Sequence, residues 1–132
     1  MNFYLALAIF LIIDLLLVIY ILYRRSAKKF SQKDLNFFKN ERRKITSISD
    51  GKHAVLDADK LLNLVLKKKG YMGGVGEQLK KAAKVFTNVN DVWSAHKLRN
   101  RVAHELDVQV SSGEKQQALR SFERALRDLG AL

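Results

Sequence analysis

One stretch of the chain, residues 91–106, carries most of the side chains that could do chemistry. It contains two of the three histidines and the only tryptophan. At 100° per residue, Trp93, His96, Asn100 and His104 fall within an arc of about 80° on a predicted helix. A histidine near pH 7 can donate or accept a proton, so this polar flank is a candidate functional surface.

Arg99 points in a different direction, into the apolar half of the same predicted helix. The core-facing side is predicted to consist of Val92, Ala95, Leu98, Val102 and Leu106. A guanidinium buried there needs an anionic partner, and earlier helices offer Asp57, Asp59 and Glu77. Two roles are therefore open for Arg99: an internal salt bridge, or a phosphate contact that suits its forked donors.

The six residues from Arg99 to His104 read RNRVAH, which resembles the RN-x-x-x-H motif of HEPN domains. These domains are small helical bundles often found in bacterial RNA-targeting systems. The wider segments AVLDADKLLNLVL and WSAHKLRNRVAHE resemble those of small uncharacterised bacterial proteins that carry such a bundle behind an N-terminal membrane helix. The resemblance covers residues 50–130.

The resemblance implies a possible chemistry. In active HEPN ribonucleases, two domains dimerise so that their Arg and His residues form a shared, metal-independent cleft where RNA is cut. By position, Arg99 would stabilise phosphate charge, Asn100 would orient the substrate and His104 would transfer a proton. The candidate binding residues beside them are Trp93, His96 and Arg101. Many domains of this fold are inactive, so we expect a noncatalytic module that binds protein or nucleic acid, with a metal-independent endoribonuclease as the alternative.

Other chemistries find less support in the sequence. The absence of cysteine excludes disulfides, thiolate metal sites and a cysteine nucleophile. His96 and His104 are eight positions apart, not the four that place two zinc ligands on adjacent turns. The glycine-rich segment 70–76 lacks both the preceding strand and the Lys followed by Ser or Thr of a P-loop. We therefore expect no metal ion and no cofactor.

These residues must be positioned by helices, because the chain has no proline and its apolar residues recur at helical spacing. The predicted fold class is all-α, with one N-terminal transmembrane helix (1–24), a basic amphipathic helix (25–49) and a HEPN-like bundle of four to five helices (50–132). Asn90 is the predicted cap of the helix that carries the site, and Ser111 with Glu114 has capping-box spacing. Gly70 is predicted to end an earlier helix. Only residues 106–110 could be extended.

The N-terminal segment from Phe3 to Tyr23 has the length and composition of a membrane span. Its 21 residues contain a single charge and would extend over roughly 31 Å as a helix. No basic residue precedes the segment, unlike the n-region of a signal peptide, so we expect an uncleaved anchor. Asp14, near its middle, is either a tolerated acid or a polar contact to another membrane helix, such as a second copy of this one.

The basic residues are concentrated just after the span. Of the net charge of +11, residues 24–44 contribute +7, because nine basic residues there stand against two acidic ones. Basic residues are retained on the cytoplasmic side, so we expect the N-terminus outside and the domain inside. The candidate membrane-surface residues are Arg24, Arg25, Lys28, Lys29, Arg42 and Arg43. The helix that contains Arg42 and Arg43 could lie on anionic lipid or pack on the bundle. The other partners left open by the sequence include a second copy of the chain, in a homodimer.

Overall fold

The computed structural model describes residues 2–27 and 29–132, and within the first range the side chains of residues 25–27 are not described. Lys28 and the side chain of Arg25, two of the candidate membrane-surface residues, therefore lie outside the described part. The helices are α1 (Phe3–Ala27), α2 (Gln32–Ser47), α3 (Gly51–Lys68), α4 (Val75–Lys81), α5 (Val89–His104) and α6 (Ser112–Asp128), with a short 3-10 turn at Ala83–Val85. The described part of the chain is all-α, as predicted.

Helix α1 is long and apolar enough to cross a membrane. The stretch Phe3–Arg24 has a mean hydropathy of 3.0, and its side chains are not buried against the rest of the chain. Its large apolar residues are 42% exposed or more, which distinguishes it from the core helix of a soluble domain. The predicted N-terminal span is thus present as a helix of suitable length and composition.

Side-chain caps explain where three of the helices begin. Ser31 Oγ accepts a hydrogen bond from the Asp34 backbone N–H at the start of α2, and the Asp50 carboxylate accepts two at the start of α3. The predicted capping box at α6 is confirmed, because Ser111 and Glu114 each accept a hydrogen bond from the backbone N–H of the other.

The predicted cap of α5 is wrong by two residues. Asn88, not Asn90, precedes the helix, and its side-chain oxygen accepts a hydrogen bond from the Asp91 backbone N–H at 3.2 Å. Both asparagines suit a cap by residue type. Asn88 lies three positions before Asp91, the spacing at which a cap reaches an unpaired N–H of the first turn.

Glycines with positive φ end α3 and α6. Gly70 has φ 96°, and the backbone N–H of the next residue, Tyr71, donates to the Leu66 carbonyl. Gly130 has φ 76° and is followed by the equivalent bond to Leu126. Both ends are Schellman motifs, in which glycine avoids the steric cost of the left-handed conformation. The predicted helix end at Gly70 is confirmed.

Helix α3 is the centre of the bundle, because it contacts α2, α4, α5 and α6. Its side chains Val55, Leu62 and Leu66 are completely buried. Helix α2 covers one side of the bundle and inserts Phe38, which is 0% exposed and meets the Phe30 ring edge-on with centroids 5.1 Å apart. Burying a side chain of this size stabilises the fold by about 1.5–3 kcal/mol, so α2 belongs energetically to the bundle.

Leu106 does not belong to the core, contrary to the prediction. Helix α5 ends at His104, two residues before the apolar pattern suggests, and Leu106 is 93% exposed. The chain then turns through Asp107, which has φ 58°. Residues 106–110, the one segment predicted as able to be extended, lie in a connection without strand structure.

Candidate functional site

A buried carboxylate connects α3 to the helix that carries the candidate site. Asp59 of α3 is 1% exposed. The Nδ1 atom of His96 lies 2.9 Å from one of its carboxylate oxygens. The Nε atom of Arg99 lies 3.2 Å from the other, at ion-pair distance but with its N–H not aligned on the oxygen. Two polar side chains of α5 therefore share one buried anion.

Asn100 closes these contacts into a ring of four side chains. Its side-chain oxygen accepts a hydrogen bond from Arg99 Nη1 at 3.0 Å. Its side-chain nitrogen lies 3.4 Å from His96 Nε2. We call this ring, Asp59, His96, Arg99 and Asn100, the buried polar ring.

The pattern of donors and acceptors in the buried polar ring assigns one tautomer of His96. With its proton on Nδ1, the imidazole donates to the Asp59 carboxylate, and its Nε2 accepts from the Asn100 amide. Asn100 can then use its oxygen to accept from Arg99. A proton on Nε2 would instead face the two donor hydrogens of the Asn100 amide. In this tautomer each of the three hydrogen bonds of the ring pairs a donor with an acceptor, and the Arg99–Asp59 ion pair completes the connection between α3 and α5.

Trp93 covers the buried polar ring at the side of α4. Its ring meets the His96 imidazole edge-on, with centroids 6.1 Å apart. A Cβ atom placed on Gly76 would stand 3.8 Å from the indole, so α4 approaches Trp93 closely at that glycine. Two of the candidate binding residues, Trp93 and His96, are thus packing neighbours, of which His96 is buried and Trp93 partly buried.

His104 lies apart from Arg99, although the two define the motif. They are five positions apart on α5, which places them about 140° apart around the helix. Arg99 contacts Asp59 of α3, whereas His104 is exposed at the last residue of α5, and no hydrogen bond of its ring is found within residues 2–27 and 29–132. Within one copy of the chain, the structure brings together Arg99 and Asn100 but not His104.

The sequence offers Asp59 as one of three acidic partners for Arg99, but the predicted site residues do not include it. The other two are placed differently: Asp57 faces His53 and Lys60 at 3.5 and 3.6 Å, and Glu77 is exposed. One signal was present in the sequence. Asp59 lies four residues after Val55 and three before Leu62, so it shares the apolar face of α3.

Arg101 belongs to a different surface, a groove between α5 and α6. Two adjoining cavities of about 310 and 340 Å³ form this groove. The buried apolar residues Ala95, Leu98 and Ala118 line part of this groove. The charged residues along its walls are Asp91, Lys97, Arg101, Glu114, Arg120 and Arg124.

Both acidic residues of the α5–α6 groove are already engaged. Asp91 lies 3.7 Å from Arg124 in an ion pair. Glu114 belongs to the capping box of α6, and the hydrogen bond from the Ser111 backbone N–H is the main reason that the pKa of Glu114 lies below its ordinary value. Arg124, the partner of Asp91, is itself one of the four basic residues of the groove, and the four basic and two acidic side chains together give the groove a net charge of +2.

No family model, curated protein or solved structure matches this chain. Among residues 2–27 and 29–132, no group of three His, Asp or Glu side chains is arranged to hold a metal ion.

The candidate membrane-surface residues that the structure describes have different surroundings. Arg24, Lys29 and Arg43 are exposed. Arg42 instead faces α6, where its Nη1 lies 3.7 Å from the Glu123 carboxylate, and its Nε is buried. The Arg42 guanidinium thus faces α6, unlike that of Arg43.

Proposed function

We propose that this chain is a membrane-tethered, noncatalytic helical module that binds nucleic acid through the groove between α5 and α6. The observation that carries the noncatalytic part is the state of Arg99. Its guanidinium is held by Asp59 and Asn100, and its side chain is 29% exposed. An arginine committed to an internal anion is not free to neutralise a phosphate in a transition state, so the RNRVAH motif supports a structural role.

The tether is proposed from α1 and the charges that follow it. Four basic residues lie within six positions after the span, which favours a bundle inside the cell and the opposite end of α1 outside. Because the chain has no cysteine, single cysteines can report this orientation. We expect Asn2→Cys to react with an impermeant maleimide on intact cells, and Gln116→Cys on α6 to react only after lysis.

Nucleic acid is the favoured partner because the α5–α6 groove is concave and net positive. Lys97 and Arg101 are exposed on the α5 side, and Arg120 and Arg124 on the α6 side. Phosphate contacts from such side chains supply most of the sequence-independent affinity for nucleic acid, and they make binding sensitive to salt. The total charge of +11 acts in the same direction.

The test is fluorescence anisotropy of a labelled single-stranded RNA with the full chain in nanodiscs of neutral lipid. We expect salt-sensitive binding that falls at least tenfold in the Lys97→Glu/Arg101→Glu variant, since two phosphate contacts become repulsive. The matched control is Lys80→Glu/Lys84→Glu, which changes the charge equally at two exposed residues near α4. Equal losses in both variants would show that the groove is not the site.

The same samples test the alternative, a HEPN-type endoribonuclease. Exposed His104 is the observation that favours it, because this imidazole is open to solvent and to a second copy of the chain. RNA cleavage without metal that disappears in His104→Ala would replace the noncatalytic proposal. Intact RNA together with groove-dependent binding would support it, and no binding at low salt would favour a protein partner.

A further inference from the structure

Helix α2 has two different faces, and one of them has no role in holding the bundle together. The inner face buries Phe38 and Ile45 and directs Arg42 toward Glu123 of α6. At 100° per residue, the side turned away from Phe38 and Ile45 covers an arc of about 120°. We call this arc the outer face of α2.

The outer face of α2 is basic and polar throughout. It consists of Gln32, Lys33, Asn36, Lys39, Asn40, Arg43 and Ser47, and all seven residues are exposed. None of them is acidic and none is apolar. A helix face that only needed to be soluble would be expected to mix charges of both signs, so a face with basic residues alone points to an anionic partner.

The acidic residues of α2 do not neutralise the outer face. Asp34 binds the Lys68 ammonium of α3 at 3.0 Å, and this contact is the largest cause of the lowered pKa of Asp34. Glu41 is 2.8 Å from Lys44 on the same helix. Both carboxylates are thus engaged with other cations, which leaves the charges of Lys33, Lys39 and Arg43 uncompensated.

The position of α2 in the chain indicates which anionic surface it meets. Only four residues separate Ala27, the last residue of α1, from Gln32, the first of α2. Even a fully extended chain of that length reaches only about 18 Å. With α1 in the membrane, the first residue of α2 therefore stays within about 18 Å of the end of α1, where the nearest extended anionic surface is the lipid headgroups.

We propose that the outer face of α2 docks on anionic lipid headgroups through Lys33, Lys39 and Arg43. The docking rests on the proposed anchoring of α1. It differs from the simplest expectation for the basic segment, in which Arg42 and Arg43 act together, because the structure turns Arg42 toward the bundle. Docking would also hold the bundle in one orientation at the membrane, since α2 is joined to it through the buried ring of Phe38.

The experiment measures how close the outer face comes to the bilayer. The full chain carries Asn40→Cys, labelled with an impermeant bimane, in vesicles whose lipids include a doxyl quencher near the headgroups. Asn40 is exposed at the middle of the outer face, and Gln116→Cys on α6 is the reference position. We expect strong quenching at Asn40 in vesicles with about 30% phosphatidylserine. In pure phosphatidylcholine, or in 0.5 M salt, we expect the quenching to fall to the level of Gln116.

Charge variants separate the outer face from the general positive charge. Lys39→Ala/Arg43→Ala should lower the ratio of docked to undocked chains about 25-fold, at roughly fivefold for each basic residue near an anionic surface. Lys80→Ala/Lys84→Ala removes the same charge elsewhere and should change the ratio less than twofold.

Three results would overturn the docking. One is quenching at Asn40 that does not depend on phosphatidylserine. Another is an equal loss in the two charge variants. The third is an outer face that binds RNA but shows no dependence on lipid. Failure of the anchor itself is distinguishable, because the chain would then no longer float with the vesicles.

Discussion

Replacing Asp59 by asparagine removes the charge of the buried carboxylate while leaving its shape almost unchanged. In the wild-type chain, the two carboxylate oxygens face His96 at 2.9 Å and Arg99 at 3.2 Å. An asparagine amide in the same place would accept one hydrogen bond and turn two donor hydrogens toward a neighbour that is itself a donor. The guanidinium of Arg99 would lose its anionic partner.

The expected cost follows from the burial of the two partners. Breaking a fully buried ion pair by removing one member costs about 3–5 kcal/mol. The Asp59 side chain is 2% exposed but that of Arg99 is 29% exposed, so water can solvate part of the guanidinium. We therefore expect Asp59→Asn to lower the free energy of unfolding by roughly 2–3 kcal/mol. For a domain of this size, that is a fall in Tm of roughly 10–20 °C.

The assay is urea unfolding of the full chain in nanodiscs, followed by tryptophan fluorescence. Trp93 is the only tryptophan and its ring is 6.1 Å from that of His96, so the signal reports on the buried polar ring itself. Arg101→Ala is the matched control on the same helix, because its side chain is 50% exposed and lies 3.9 Å from Glu105. We expect a change below about 0.5 kcal/mol in the control.

A double-mutant cycle then decides whether Arg99 is structural. Asp59→Asn and Arg99→Ala should be coupled by at least about 1 kcal/mol, as expected for residues in direct contact. An Arg99→Ala variant as stable as the wild type, with no coupling to Asp59, would refute the structural assignment. Arg99 would then be free for a substrate, and the ribonuclease alternative would gain.

Three further predictions concern other parts of the chain. The pKa of Asp34 is lowered mainly by its hydrogen bond from Lys68, so this contact stabilises the fold above a pH of about 4 and is lost as the pH falls through the folded-state pKa. The free energy of unfolding should therefore fall less between pH 7 and pH 3 in the Asp34→Asn variant than in the wild type. In urea unfolding, Gly130→Ala should destabilise the fold by about 1 kcal/mol because φ is 76° at that residue. Gly113→Ala should instead stabilise the fold by about 0.4–1 kcal/mol, because Gly113 lies inside α6 and an added Cβ would meet only one atom, at 3.9 Å. In a glycosylation assay of membrane insertion, Asp14→Leu should make insertion more favourable by about 3 kcal/mol. If crosslinking of the wild type gives a dimer that the same variant loses, Asp14 pairs two copies of the chain.

Local sequence signals predicted many of the helices and their ends. The apolar run of α1, the capping box of Ser111 and Glu114 and the glycine at position 70 each act within a few residues, so their effects follow from the sequence alone. Where two local signals competed, the prediction failed: Asn88 and Asn90 are equally good caps by type. Leu106 continued the apolar pattern beyond the point at which α5 ends.

The sequence by itself therefore determined the all-α class, the apolar N-terminal span and a helix that carries Arg99 and His104. Tertiary structure alone selected Asp59 from three possible acidic partners, because that choice depends on how α3 and α5 pack, at a separation of about 40 residues. It also turned Arg42 toward α6 and left Arg43 on the outer face. The physical reason is the same in both cases: which charged side chains become neighbours depends on how helices that are far apart in the sequence pack together.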